Sequence, residues 1–151
     1  MIPLAKTASP AAKAVLRQAT ALRPGRKKAS DGLLPSKEHV KQNPNSDHNS
    51  GYAVDVTHDP AFGINCVDAF IKLQEDKRVK YLIFQGKIWS QEKGVRKYTG
   101  VNPHNKHLHI SIKENYGEDT SPWFPWLGTV KTIQKVKAAI KPLPKKKEQA
   151  K

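Results

Sequence analysis

A single cysteine, Cys66, stands in a chain of 151 residues, so no internal disulfide can staple the fold and no oxidising compartment is demanded. No stretch approaches the roughly 20 consecutive apolar residues of a membrane span. The opening Met1-Ile2-Pro3-Leu4-Ala5-Lys6 lacks the apolar region of a secretory signal, so the expectation is a protein made in the cytoplasm without a signal peptide. Acids are scarce as well: 13 Asp and Glu stand against 27 Lys and Arg, for a net charge of +14. Such a chain seeks polyanions, whether nucleic acid, anionic lipid or wall polymers, and charge alone does not choose among them. Residues 129–151 hold eight lysines and one glutamate, which is half of that net charge.

What is present suits one domain with a real core. The expected fold class is α+β, a small antiparallel sheet flanked by helices, over residues 1–128. Residues 129–151 read as a basic amphipathic helix, with Val130, Ile133, Val136 and Ile140 on one side, and a disordered cationic tail. A first helix is predicted over 8–22, with Ser9-Pro10 at its start and Ala14, Val15, Ala19 and Leu22 as its stripe. A second is predicted over 65–77, capped by Asn65 and striped by Val67, Phe70, Ile71 and Gln74. Strands are predicted at Tyr52 to Val56, Val79 to Phe84, and Ile88 to Ser90 after a turn at Gln85-Gly86-Lys87. Residues 91–103 read as a polar loop. Cys66 reads as a buried, inert thiol. The segment Ser121-Pro122-Trp123-Phe124-Pro125-Trp126 suits either sugar or membrane contact or packing over the domain.

Two histidine-bearing segments carry the chemistry. One runs Ser46-Asp47-His48-Asn49-Ser50-Gly51-Tyr52-Ala53-Val54-Asp55; the other runs Asn102-Pro103-His104-Asn105-Lys106-His107-Leu108-His109. In a strand, residues two apart face the same way, so His107 and His109 project together. Asp55 lies inside an apolar run, where an acid is costly unless paired or bound to a cation. With the two strands side by side, two imidazoles and one carboxylate can converge, the ligand set of a catalytic zinc site with an open fourth position. Ser46, Asp47 and Gly51 are expected to brace and make room for the loop around His48. His39 and His58 read as surface and turn-capping residues, and Asp59 has a minor claim to a hydrogen bond with a ligand histidine.

The pattern Ser-X-His-X-X-Gly-X-Ala-X-Asp followed by His-X-His resembles the zinc peptidases that group D-alanyl-D-alanine carboxypeptidases, lysostaphin-type endopeptidases and L-alanyl-D-glutamate endopeptidases. The chain looks closest to the catalytic domains of phage endolysins, over about residues 22–113. The resemblance implies zinc held by His48, Asp55 and His109, with His107 in acid–base or oxyanion work and His104 as a second helper. Arg26, with Arg23 competing, is the implied contact for a substrate carboxylate or carbonyl; Tyr98, from its place in the polar loop 91–103, reads either as a substrate-binding residue or as packing at a sheet edge. Many relatives carry Glu or Asp three residues before the last zinc histidine, where this chain has Lys106. The base is therefore open. The implied function is hydrolysis of an amide bond in bacterial peptidoglycan, most readily L-alanyl-D-glutamate, at the cell wall; a monomer is the default expectation. The tail would engage an anionic envelope polymer or lipid, with no specific nucleic acid. A D-alanyl-D-alanine carboxypeptidase, a metal-dependent nuclease and a non-catalytic envelope-binding module are the alternatives.

Overall fold

The computed structural model describes residues 7–33, 47–100 and 102–127. His39, Ser46 and the expected helix and tail over 129–151 lie outside them. The described residues form an α+β domain around one five-stranded sheet. Helix α1 spans Pro10–Leu22, β1 Ala53–Thr57, α2 Cys66–Lys72, β2 Val79–Phe84, β3 Lys87–Ser90, β4 Gly94–Lys97 and β5 His107–Ile112. The strand order is β1-β5-β2-β3-β4, with every neighbouring pair antiparallel.

Helix α1 starts where the sequence says it should. The Ser9 hydroxyl accepts the Ala12 N–H at 3.2 Å, and Pro10 occupies the first turn, where a missing N–H costs nothing. Its buried face, Ala11, Ala12, Ala14, Val15 and Ala19, is mostly alanine, so its backbone lies close against β1. Helix α2 is shorter than expected and passes at Leu73–Glu75 into a single 3₁₀ turn. Its buried residues are Cys66, Ala69, Phe70 and Leu73; Val67 and Ile71, expected in the core, are exposed. Val67 and Ile71 are four apart and share a face, but it is the outward one.

The core lies between the helices and one face of the sheet: Val54 and Val56, Leu108, Ile110 and Ile112, Leu82 and Phe84. Trp123 and Phe124 belong to it, which settles the aromatic segment as packing. Trp123 donates its indole N–H to the Ala11 carbonyl at 3.1 Å and lies under the Arg78 guanidinium at 3.6 Å. Arg78 in turn binds Asp76 and the carbonyls of Ser121 and Pro122. Part of the expected loop 91–103 is instead the edge strand β4, whose Gly-Val-Arg-Lys sequence carries no apolar alternation; a charged edge strand resists pairing with other chains.

One irregularity of the sheet shapes the site. Val79 pairs with Ile112 and Tyr81 with Ser111, so Lys80 is an extra residue in β2. A one-residue bulge inverts the facing of every later residue in its strand. It moves Tyr81 and Ile83 off the core face and onto the opposite one, beside Ser111 and His109.

Candidate metal centre

On the face turned away from the helices, Asp55 of β1 pairs directly with His109 of β5, and Thr57 with His107. Directly opposed residues of antiparallel strands share a face, so the carboxylate and both imidazoles emerge together. His48 arrives from a turn over Asp47–Gly51. That turn is closed by hydrogen bonds from Gly51 N to the His48 carbonyl and from Tyr52 N to the Asp47 carbonyl. Gly51 has a φ of 84°, in the left-handed region where a side chain would be strained. The turn is tied down from outside: the Gly51 carbonyl accepts the Ser9 N–H, and Lys80 forms an ion pair with Asp47 at 3.2 Å. Asp47 thus braces the turn through Lys80 as well as through its own backbone.

Three donor atoms converge. Asp55 Oδ1 lies 3.3 Å from His48 Nε2 and 3.2 Å from His109 Nδ1, and all three ligand atoms fall within 4.8 Å of one another. A tetrahedral zinc ion with bonds near 2.0–2.1 Å requires neighbouring donors about 3.3 Å apart. The spacing fits. So does the chemistry of the set, two imidazoles and one carboxylate, and each ring is held by its other nitrogen. His48 Nδ1 donates to the Leu33 carbonyl at 2.8 Å, and His109 Nε2 lies 2.8 Å from Ser111 Oγ. The nitrogens nearest Asp55 face its carboxylate at hydrogen-bond distance; with the remote nitrogens engaged, the same two atoms can turn their lone pairs to an ion.

The strap that carries Leu33 is itself built into the centre. Gly32 exchanges both backbone hydrogen bonds with Asp55 at 2.8 and 3.0 Å. Asp31 accepts from Thr57 N and Oγ1, and the Arg26 guanidinium grips Asp31 through two bonds of 3.1 and 2.6 Å. Arg26 also bonds Thr20 and the Lys27 carbonyl, and only 1 % of its side chain is exposed. The expected substrate contact is therefore corrected in role: the Arg26 fork is consumed by Asp31 and fixes the strap. Arg23 donates to the Leu22 carbonyl and stays with its own helix. Asp59 accepts from Lys27 N and Phe62 N, so its carboxylate serves the strap and the turn before α2 rather than a ligand histidine. His58 acts as a cap, its Nδ1 accepting the Cys66 N–H at 3.0 Å. Burial pushes the Cys66 thiol up to about 12, which keeps it protonated and inert.

His107 and His104 complete the cluster. His107 Nε2 is 3.5 Å from Asp55 Oδ2, close enough to feel its charge but not aligned to hydrogen-bond. The rings of His104 and His107 lie 5.0 Å apart, and His104 stands 5.5 Å from His109. His104 is held over the sheet because Gln85 N and Gly86 N, in the β2–β3 turn, donate to the carbonyls of His104 and Pro103. Its φ of 62° is unusual for a non-glycine residue and is fixed in part by Asn102 Oδ1 accepting its N–H. Tyr98 packs edge-on to His104 at 5.7 Å, at the outer rim of the cluster. Buried His104 Nδ1 and His107 Nε2 have no hydrogen-bond partner among the described residues.

The electrostatics divide four of these groups. Burial alone would raise Asp55, but hydrogen bonds and charge from His109 and His48 hold it well below the carboxylate range. Burial alone would lower His48, yet Asp55 and the Leu33 carbonyl outweigh it and leave it raised. His107 is lowered by burial, which Asp55 only partly opposes, and His104 is pulled down to about 4 by burial and its neighbouring imidazoles.

The fold and cluster define an α+β domain organised around a three-donor centre on the open face of its sheet. The family described as VldE, C-terminal domain, matches residues 6–109, and the chain belongs to that family. The matched stretch runs from before α1 to His109 and so includes all three donors. No curated protein and no solved structure matches the chain.

Proposed function

We propose that this chain is a zinc-dependent peptidoglycan peptidase of the phage-endolysin type, hydrolysing the L-alanyl-D-glutamate bond of the wall stem peptide. One observation carries the reading: His48 Nε2, Asp55 Oδ1 and His109 Nδ1 converge within 4.8 Å, Asp55 Oδ1 standing 3.3 and 3.2 Å from the two nitrogens, with two further imidazoles at the rim. The specific bond rests on the resemblance of the Ser-X-His-X-X-Gly-X-Ala-X-Asp and His-X-His segments to endopeptidases.

Zinc bound by these residues supplies Lewis acidity toward the scissile carbonyl and toward water. The remaining work falls to the chain. His107 offers a buried Nε2 without a partner among the described residues, and in this reading it accepts a proton from the attacking water and passes it to the leaving amine. Asp55 Oδ2, 3.5 Å away, stabilises the imidazolium formed in that passage. His104 packs across the His107 ring and restricts its rotation. Lys106, where many relatives have a carboxylate, cannot act as that base, and His107 takes the role. Among the described residues, Asp55 is the carboxylate that bonds or ion-pairs with the site imidazoles. The lysine-rich segment over 129–151 concentrates the enzyme at an anionic envelope.

The test is digestion of purified peptidoglycan by zinc-loaded protein beside a His109→Ala control, with new termini identified by mass spectrometry. A new free amine on D-glutamate, absent from the control, is expected. Release of D-alanine alone would assign a carboxypeptidase instead. Intact wall in the presence of bound zinc would overturn the proposal.

A further inference from the structure

Ser111 sits two residues beyond His109 on the same face of β5 and is fully buried. Its cross-strand partners are Ala53 of β1 and Tyr81 of β2. The Ala53 side chain has no polar atom. The Tyr81 ring stacks on the His109 ring at 5.5 Å and 16°. The Ser111 hydroxyl, 2.8 Å from His109 Nε2, is that nitrogen's hydrogen-bond partner.

A neutral imidazole has one N–H and one lone pair, and only the lone pair can ligate. In His109 the nitrogen facing Asp55 is Nδ1, so a proton there would point into the metal position. We infer that Ser111 is a positioning residue for the metal centre: its oxygen accepts the Nε2 proton of His109 and thereby keeps the lone pair on Nδ1. Tyr81, brought onto this face by the Lys80 bulge, fixes the plane of the same ring. The Leu33 carbonyl does the corresponding work for His48. The inference rests on the zinc reading proposed for this site and adds a determinant of affinity that does not touch the ion.

The experiment is zinc titration against a chromogenic chelator for wild type, Ser111→Ala, Ser111→Thr and Ser111→Cys. Thermal unfolding of each metal-free protein and nitrogen NMR shifts of the His109 ring in the zinc-loaded forms accompany it. Ser111→Ala is expected to bind zinc about 10–100-fold more weakly, while its metal-free unfolding temperature stays close to wild type. Ser111→Thr, which keeps the hydroxyl, restores affinity. Ser111→Cys keeps the volume with a weak acceptor and follows alanine, which covers the case of an alanine variant that does not fold. Equal affinity in wild type and the alanine and cysteine variants, or a protonated Nδ1 in the zinc-loaded wild type, would overturn the inference alone. Failure of the wild type to bind zinc would overturn the metal reading together with it.

Discussion

Along β5, Leu108, Ile110 and Ile112 point into the helices, while His107, His109 and Ser111 point the other way. The two faces share a backbone and differ in what they demand of a side chain. On the helix face the requirement is apolar volume, and swaps that conserve it are tolerated. On the other face the requirement is an atom at a place: Nδ1 of His109 beside Oδ1 of Asp55, Nε2 beside Ser111. The first face makes the second possible. Strands clamped on one side by a packed core hold donors on the other to the few tenths of an ångström that a metal centre needs.

Neighbouring substitutions separate the faces most sharply. His109→Ala is expected to abolish stoichiometric zinc binding while circular dichroism still reports the folded sheet. Ile110→Ala, one residue on, is expected to cost about 2–5 kcal/mol in urea unfolding and yet to bind one zinc per folded chain. If the two variants exchanged these outcomes, the division of labour would be wrong.

Arg26 sharpens the comparison, because it serves the metal face from behind. Removing one partner of a buried ion pair costs about 3–5 kcal/mol, so Arg26→Met should lower stability by that order in denaturant titration. Zinc affinity should fall with it, since the strap carrying Gly32 and Leu33 loosens. A variant with unchanged stability and a raised KM alone would return Arg26 to the substrate-binding role.

The smallest effect concerns pH in the metal-free protein. Asp55 is depressed from 3.8, so its contribution to stability is present above that value and is lost as pH falls toward its folded value. His48 is raised from 6.5, so its contribution is full below 6.5 and is lost as pH rises through the folded value. The two overlap between about pH 4 and 6.5. Comparing wild type with Asp55→Asn in urea across that range should give the largest difference inside the window and a smaller one at pH 8. A difference that does not vary with pH would contradict the assigned pairing. Zinc must displace the His48 proton, so its affinity should weaken on acidification.

The two faces also differed in how legible they were from the sequence. The pairing of Asp55 with His109 followed from two short strands with functional residues at a period of two, and α1 from Ser9-Pro10 and its alanines. The holders of the ligands were hidden. Leu33 acts through a backbone carbonyl, which no side-chain pattern reveals, and Gly32 through its own backbone. Tyr81 reached the site through a bulge at Lys80, and one lysine in the run Val79 to Phe84 does not by itself announce a bulge. Ser111 did leave a signal, a small hydroxyl that continues the period-two series of His107 and His109 along β5. Arg26 was misplaced because an arginine upstream of the first histidine reads equally as a substrate contact or a buried anchor, and only the Asp31 distance decides. Val67 and Ile71 misled because a helix of two turns gives too few positions to tell its inward from its outward stripe.

The most direct test is the metal itself: zinc content by elemental analysis of the purified full chain, with X-ray absorption at the zinc edge. The account predicts one zinc per chain, bound by two imidazoles and a carboxylate at about 2.0–2.2 Å, and no bound zinc after His48→Ala, Asp55→Ala or His109→Ala. Zinc bound equally well by all three variants, or no zinc in a folded wild type, would contradict it.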